Sequence, residues 1–177
     1  KALKRSYAKD FRLDSCLINL QRLRYWSVFL VAFTLLQIAS DFLLVTMWSQ
    51  KQLHAFRMLD ICLGIVTIIV LYTSHFHRPR EGQDIRFFHR FTIVFYVCAH
   101  MIWTACVAGI ESYSANGLPT FLIGVFSAAT LFLLPSLVFL TALLLGMAGL
   151  TLSLIFMQLP FESIADQYYT AVILVVV

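Results

Sequence analysis

One apolar stretch constrains the fold of this chain more than any other feature. Residues Trp26 to Met47 contain no lysine or arginine, and they are predominantly apolar over about the twenty residues that a helix needs to cross a hydrocarbon core roughly 30 Å thick. They predict a transmembrane helix, bracketed by Trp26 and Trp48 at the two membrane interfaces. Because Arg22 and Arg24 precede it and cationic residues concentrate on the inner side, we expect this helix to begin at the cytoplasmic face.

The composition agrees with a membrane protein. Of the 177 residues, 60% are hydrophobic and only 12% are charged, and the mean hydropathy is +0.85, which is too apolar for an ordinary soluble domain. The apolar runs are long and continuous, without the alternation of a β-barrel, so we predict an all-α, polytopic helical bundle. No lysine or arginine follows Arg90. This basic front half predicts cytoplasmic loops that meet anionic lipid headgroups, and no binding of nucleic acid.

We predict six transmembrane helices, with both the N and C termini in the cytoplasm. The predicted spans are Trp26 to Met47, Met58 to Thr73, Phe91 to Ser112, Leu118 to Leu134, Leu137 to Leu159 and, incompletely, Ala171 to Val177. The arginine-rich segment from His75 to Arg90 is the predicted inner loop. We expect outer loops at Trp48 to Arg57, at ESYSANG and at PFESIADQYYT. Pro135 should break the helix between the fourth and fifth spans.

The predicted domain organisation has two parts and an expected third. Residues 1–24 should form a basic juxtamembrane helix in the cytoplasm, with one apolar face made by Leu13, Leu17, Leu20 and Leu23; a solvated arm is the alternative. Residues 25–177 should form the six-helix membrane domain. Because the last seven residues cover only about 10 Å of helix, we expect a sixth span to continue into the cytoplasm, where an output domain would follow.

Ionisable residues inside the spans are the candidate site. A carboxylate at membrane depth is costly, so Asp41 and Asp60 should face protein or water. We predict a ligand pocket that opens to the outer face. Its candidate residues are Gln37, Asp41, Asp60, His100, Trp103 and Glu111. The alternative is that these carboxylates reach headgroup water or hydrogen-bond to neighbouring helices.

His100 also raises the question of a cofactor. A bis-histidine haem needs a second histidine at the same depth, whereas the other four histidines fall near helix ends. A zinc site needs three or four converging ligands. We therefore predict no haem, metal or other cofactor, and a His100 side chain that hydrogen-bonds inside the bundle. The four cysteines form no CxxC pair, and Cys62, Cys98 and Cys106 should be small buried hydrophobes. No nucleophile and base stand at a recognisable spacing, so no catalytic residue is predicted.

Two stretches resemble a known family. NLQRLR at Asn19 to Arg24 and NGLPTFLIGVFSAATLFLLP at Asn116 to Pro135 resemble the six-helix sensor modules of bacterial membrane-anchored GGDEF diguanylate cyclases. The resemblance implies a multi-pass protein of the bacterial inner membrane, a homodimer, and a small-molecule signal from the periplasmic side. The last transmembrane helix would then regulate cyclic di-GMP synthesis by a C-terminal domain.

The catalytic signature of that family is missing from these residues, since they contain no GGDEF sequence and no phosphate-binding glycine-rich loop. Similar modules precede sensor histidine kinases, so a kinase sensor domain is an alternative function. A small transporter or a structural membrane subunit is another.

Overall fold

A computed structural model describes residues 2–43, 48–76, 87–113 and 118–160, together with residues 162, 164–167 and 169–170; the side chains of residues 2–13, 41 and 118 are not described. Within the described residues the structure has five helices of 14 or more residues, namely α1 (Ala2–Leu43), α2 (Gln50–Phe76), α3 (Phe87–Glu111), α4 (Leu118–Leu131) and α5 (Ser136–Phe156). Residues 162, 164–167 and 169–170, which fall in the predicted outer loop PFESIADQYYT, are helical as well. No strand occurs among the described residues, which confirms the all-α prediction.

The number of membrane-spanning helices differs from the prediction. Four described helices are long and apolar enough to cross a bilayer, namely Asp14–Ser40 within α1, and α2, α3 and α5. The 14 residues of α4 rise only about 21 Å, less than the roughly 30 Å of a hydrocarbon core. The described chain therefore has four candidate spans and a shorter apolar helix in place of five spans. The predicted sixth span, Ala171 to Val177, lies outside the described residues.

Helix α3 is the centre of the bundle. Of the 18 residues that form its most apolar stretch, 67% are buried inside the bundle, compared with 22 to 33% in the corresponding stretches of the other three candidate spans. It packs against α5, α4 and α2, while α1 packs mainly against α2. The outer helices expose many large apolar side chains, such as Leu36, Ile65 and Leu152, and a surface of this kind fits lipid better than water.

The start of α2 corrects a predicted loop. Residues 50–57 are helical, and Gln52, Leu53 and Phe56 are buried. Ser49 and Gln52 form a reciprocal cap, in which the Ser49 backbone N–H donates to Gln52 Oε1 (3.2 Å) and the Gln52 N–H donates to Ser49 Oγ (3.3 Å). This S-x-x-Q capping box satisfies two donors at the helix start and starts the helix eight residues before the predicted span.

Small residues bring α3 close to α4 and α5. A Cβ added at Gly149 would lie 3.4 Å from the carbonyl oxygen of Ile102, and one at Gly146 would lie 3.4 Å from that of Met101. At Gly124 on α4 an added Cβ would lie only 2.6 Å from a side-chain carbon of Thr104 on α3. A larger residue at Gly124 therefore needs a rearrangement, whereas at Gly146 and Gly149 the helices are in close but ordinary contact.

Helix α1 runs without interruption through the predicted boundary at Arg24. Leu20 and Leu23 of the predicted apolar face belong to the core, whereas Leu17 is 41% exposed. The juxtamembrane segment and the first span are thus one helix. Another difference concerns Cys62, which was predicted to be buried and is exposed.

The break between α4 and α5 lies at residues 132–135, as Pro135 predicted. The side chain of Asn19 on α1 holds it: Nδ2 donates to the Leu133 carbonyl oxygen (3.0 Å), and Oδ1 accepts from the Leu133 N–H (2.8 Å). Arg22 Nη1 donates to the Leu131 carbonyl oxygen (3.0 Å). The two stretches that carry the family resemblance therefore contact each other, and we call these contacts the Asn19 clamp.

Helix α5 ends in a Schellman motif. The N–H of Leu159 donates to the Leu154 carbonyl and that of Gln158 to the Ile155 carbonyl, and Gln158 takes a left-handed conformation with φ 60°. Lys51 at the start of α2 donates from Nζ to the Phe156 carbonyl oxygen (2.6 Å). A cation at this position also favours the negative end of the helix dipole.

Candidate functional site: a buried polar and aromatic cluster

Three ring side chains line one face of the central helix. Tyr96, His100 and Trp103 follow one another at spacings of four and three residues, which places them on the same side of α3. The Tyr96 and His100 rings stack at 6.0 Å between centroids with a 12° tilt, and the His100 and Trp103 rings stack at 6.2 Å with a 22° tilt. Since at most 9% of each residue is exposed, this row of rings is shielded from the surroundings by the bundle itself.

Asp60 joins this row from α2. The indole Nε1–H of Trp103 donates to Asp60 Oδ1 at 3.2 Å, and Asp60 is only 4% exposed. Because α2 begins at Gln50, Asp60 lies about 15 Å along the helix. A carboxyl group at this depth has a large desolvation cost, which the tryptophan N–H offsets in part.

His100 makes the corresponding link to α4. Its Nε2 lies 3.1 Å from Ser127 Oγ, and the Ser127 hydroxyl itself donates to the Gly124 carbonyl at 2.9 Å. The His100 ring and the Ser127 hydroxyl therefore share one hydrogen bond, whose direction is set by the tautomer of the imidazole. The other ring nitrogen, Nδ1, is buried and has no hydrogen-bond partner among the described residues.

Trp26 brings α1 to the same place. Its ring meets the His100 ring edge to face at 6.4 Å between centroids. The six residues that meet here, which we call the central cluster, come from four of the five helices. They are Trp26, Asp60, Tyr96, His100, Trp103 and Ser127. The cluster is therefore a point where a change in one polar contact alters the packing of several helices.

The chemistry of the cluster favours binding over catalysis. A serine nucleophile donates its proton to a histidine whose other nitrogen is held by a third group. Here no third group holds the other ring nitrogen of His100 among the described residues, and the Ser127 Oγ also lies within hydrogen-bond distance of the Gly124 carbonyl oxygen. Nδ1 of His100, inside a buried aromatic wall, can form a further hydrogen bond.

The structure brings together three of the six predicted site residues. Asp60, His100 and Trp103 meet in the central cluster, whereas Glu111 lies about 12 Å further along α3, where Thr120 Oγ1 of α4 donates to its carboxylate. Gln37 is half-buried on α1, and its backbone carbonyl accepts from Ser40 Oγ. The side chain of Asp41 lies outside the described residues.

Ser127, Tyr96 and Trp26 are members of the cluster that the sequence analysis missed; Trp26 was predicted to lie at the membrane interface, and its ring contacts His100 instead. Ser127 comes from an apolar helix 27 residues away from His100, and no spacing rule connects them. Tyr96 was detectable, since it lies one turn before His100 on the same predicted span. At the end of the bundle where α2 begins, Gln52 Nε2 donates to the Ile110 carbonyl oxygen near the end of α3 (3.2 Å). The S-x-x-Q pattern was the signal for the position of Gln52.

A metal centre finds no support in the described part of the chain, where no three histidine, cysteine, aspartate or glutamate side chains converge. The absence of a cofactor remains a prediction.

Comparison with known proteins gives no further guide to the function, because no family model, no curated protein and no solved structure matches the chain.

Proposed function

We propose that this chain is the sensing and anchoring module of a bacterial signalling protein, placed in the inner membrane with its N terminus in the cytoplasm. The observation that carries the proposal is the central cluster, in which the Asp60 to Trp103 and His100 to Ser127 hydrogen bonds join α2, α3 and α4. A helix bundle that only anchors needs no such groups, because close packing of apolar and small side chains holds helices together in lipid.

The buried polar groups give the bundle a means of changing its packing. Asp60 and His100 lie in an interior where a missing partner is costly. A molecule that hydrogen-bonds to His100 Nδ1, or that displaces Trp103 from Asp60, therefore favours a different arrangement of the helices around α3. Such a signal acts only to the extent that it binds one arrangement better than the other. We propose a small polar ligand that enters from the periplasmic side.

The proposed output is a diguanylate cyclase in a homodimer, regulated through the last transmembrane helix. This part of the proposal is supported by the resemblance of Asn19 to Arg24 and Asn116 to Pro135 to the sensor modules of such enzymes. The contact between Asn19 and Leu133 gives the two stretches a joint structural role.

Measurement of cyclic di-GMP in bacterial cells that express the complete encoded protein tests the proposal. We expect expression to raise the cyclic di-GMP level. The Asp60→Asn substitution, which keeps the shape of the side chain and replaces its carboxyl group by an amide, should change that level severalfold at an equal amount of protein in the membrane. Asp14→Asn is the matched control, because Asp14 is exposed on α1 far from the cluster.

The outcomes separate the parts of the proposal. If the wild-type protein leaves cyclic di-GMP unchanged, the cyclase assignment is wrong, and autophosphorylation of the same protein would assign it to the sensor kinases. If wild type raises cyclic di-GMP and Asp60→Asn behaves like Asp14→Asn, the central cluster has no part in sensing.

A further inference from the structure

A cavity of about 620 Å³ lies at the opposite end of the bundle from Glu111, between α1, the beginning of α3 and the break between α4 and α5. This volume is in the range of binding sites for small molecules. Its lining residues are Ser15, Cys16, Asn19, Arg90, Ile93, Val94, Leu133, Leu134, Pro135 and Val138. The cavity is thus separate from the central cluster, with which it shares no residue.

The lining has two chemically distinct parts. Ile93, Val94 and Val138 belong to an apolar wall, while Arg90 supplies a positive charge and no acidic residue lines the cavity. Asn19 uses both of its polar groups to hold Leu133, so its amide is already satisfied. An occupant that fits this site has a long apolar portion and one anionic group.

The position of the cavity in the chain identifies the source of such a molecule. It lies beside the segment that contains Arg22 and Arg24, which the sequence places at the cytoplasmic headgroup layer. Arg90 lies in the first turn of α3, between the arginine-rich segment and the apolar part of the helix, so its charge lies where headgroups and acyl chains meet. Pro135 is the N-cap of α5 and supplies no side-chain hydrogen bond, and the positive end of that helix dipole adds to the attraction for an anion.

We propose that this cavity binds one anionic phospholipid, with the headgroup phosphate at Arg90 and an acyl chain against Ile93, Val94 and Val138. The lipid would connect α1 to the break between α4 and α5, alongside the Asn19 clamp. Basic pockets between membrane helices on the cytoplasmic side have the chemistry to hold such headgroups. This inference depends on insertion in a membrane and is independent of the proposed signalling function.

Native mass spectrometry of the full chain in a neutral detergent tests the proposal, with phosphatidylglycerol and phosphatidylcholine of identical acyl chains as probes. We expect wild type to retain phosphatidylglycerol in preference to phosphatidylcholine. Arg90→Gln should weaken phosphatidylglycerol binding about tenfold, the factor for loss of one charge-assisted hydrogen bond. Arg24→Gln is the matched control, because it removes the same charge at the same end without lining the cavity.

A second variant tests the apolar part of the site. Val138→Phe fills the cavity next to the expected acyl chain, so it should lower the retention of phosphatidylglycerol while leaving Arg90 in place. The far-ultraviolet circular dichroism of each variant should match wild type, since Arg90 is exposed and Val138 only half-buried.

Three results would overturn the proposal. Equal retention of the two lipids by wild type would show that no anionic group is recognised. Equal losses of phosphatidylglycerol binding in Arg90→Gln and Arg24→Gln would show that the lipid is attracted by the general surface charge of this end of the bundle and not by the cavity. Displacement of phosphatidylglycerol by inorganic phosphate at constant ionic strength would assign the site to a soluble anion.

Discussion

The Asn19 clamp gives the sharpest prediction about how this bundle holds together. In Asn19→Ala both hydrogen bonds to Leu133 disappear, and the solvent-exposed bond from Arg22 to the Leu131 carbonyl oxygen is left to connect α1 to the break between α4 and α5. We expect the segment of residues 131–138 to open more often, while the rest of the bundle, which packs around α3, stays folded.

The structure sets the magnitude of this effect. The two bonds measure 3.0 and 2.8 Å, and Asn19 is only 4% exposed, so water competes poorly for them. With about 1 kcal/mol net for each bond, the substitution should cost about 2 kcal/mol. This corresponds to roughly a thirtyfold increase in the local opening equilibrium.

Hydrogen exchange followed by mass spectrometry measures this quantity, because the Leu133 N–H is itself one of the two donors. The peptide that covers residues 131–138 should exchange about thirtyfold faster in Asn19→Ala than in wild type. Arg22→Gln should have a smaller effect, since its hydrogen bond to Leu131 is exposed to solvent.

Gln21→Ala is the control, because Gln21 is exposed on the same turn of α1 and should leave the exchange of this peptide unchanged. The reasoning is refuted if Asn19→Ala and Gln21→Ala exchange at the same rate. It is also refuted if Asn19→Ala speeds exchange equally in every helix, because the clamp would then be part of the global stability.

Three further substitutions test the packing and the cluster by unfolding in detergent. Gly124→Ala should destabilise the protein by about 1 to 3 kcal/mol, because the added Cβ would overlap Thr104. Gly64→Ala should be tolerated, since its added Cβ would have its nearest contact at 3.5 Å. Equal losses of stability in the two variants would contradict the packing argument. Gln158→Gly should stabilise the protein by about 1 kcal/mol, since glycine adopts the left-handed conformation of this position without steric cost. A loss of stability in this variant would contradict the reasoning. Trp103→Phe should cost about 1 to 3 kcal/mol by removing the donor to Asp60, and an unchanged unfolding midpoint would show that this bond contributes nothing.

The extent of agreement between sequence and structure depends on whether a feature is local. The apolar runs placed both ends of α3 and α5 to within four residues, because hydropathy acts along a continuous segment. Pro135 also placed the break by a local property, since a proline lacks the N–H of a helix ladder. The start of α2 lies eight residues before its apolar run, because the S-x-x-Q capping pattern at Ser49 and Gln52 is made of polar residues that hydropathy does not register.

The candidate site depended on contacts between distant residues. Asp60 and Trp103 were both singled out as candidates, but their hydrogen bond joins residues 43 positions apart. His100 was predicted to hydrogen-bond inside the bundle, and its partner, Ser127, could not be named because serine also occurs freely on helix surfaces and at their ends. The short length of α4 was hidden as well, since the apolar sequence continues through Leu134 without marking where the helix stops.

The sequence alone determined that this chain is an apolar, all-helical membrane bundle, because each helix must satisfy its own backbone in lipid and needs a continuous apolar run to do so. Only the tertiary structure decided that α3 is the buried centre, that Asp60, His100 and Trp103 meet there, and that Asn19 holds the break after α4. Those facts depend on which helix face packs against which. The helices are apolar on nearly every face, so hydropathy does not distinguish a face that contacts lipid from one that contacts another helix.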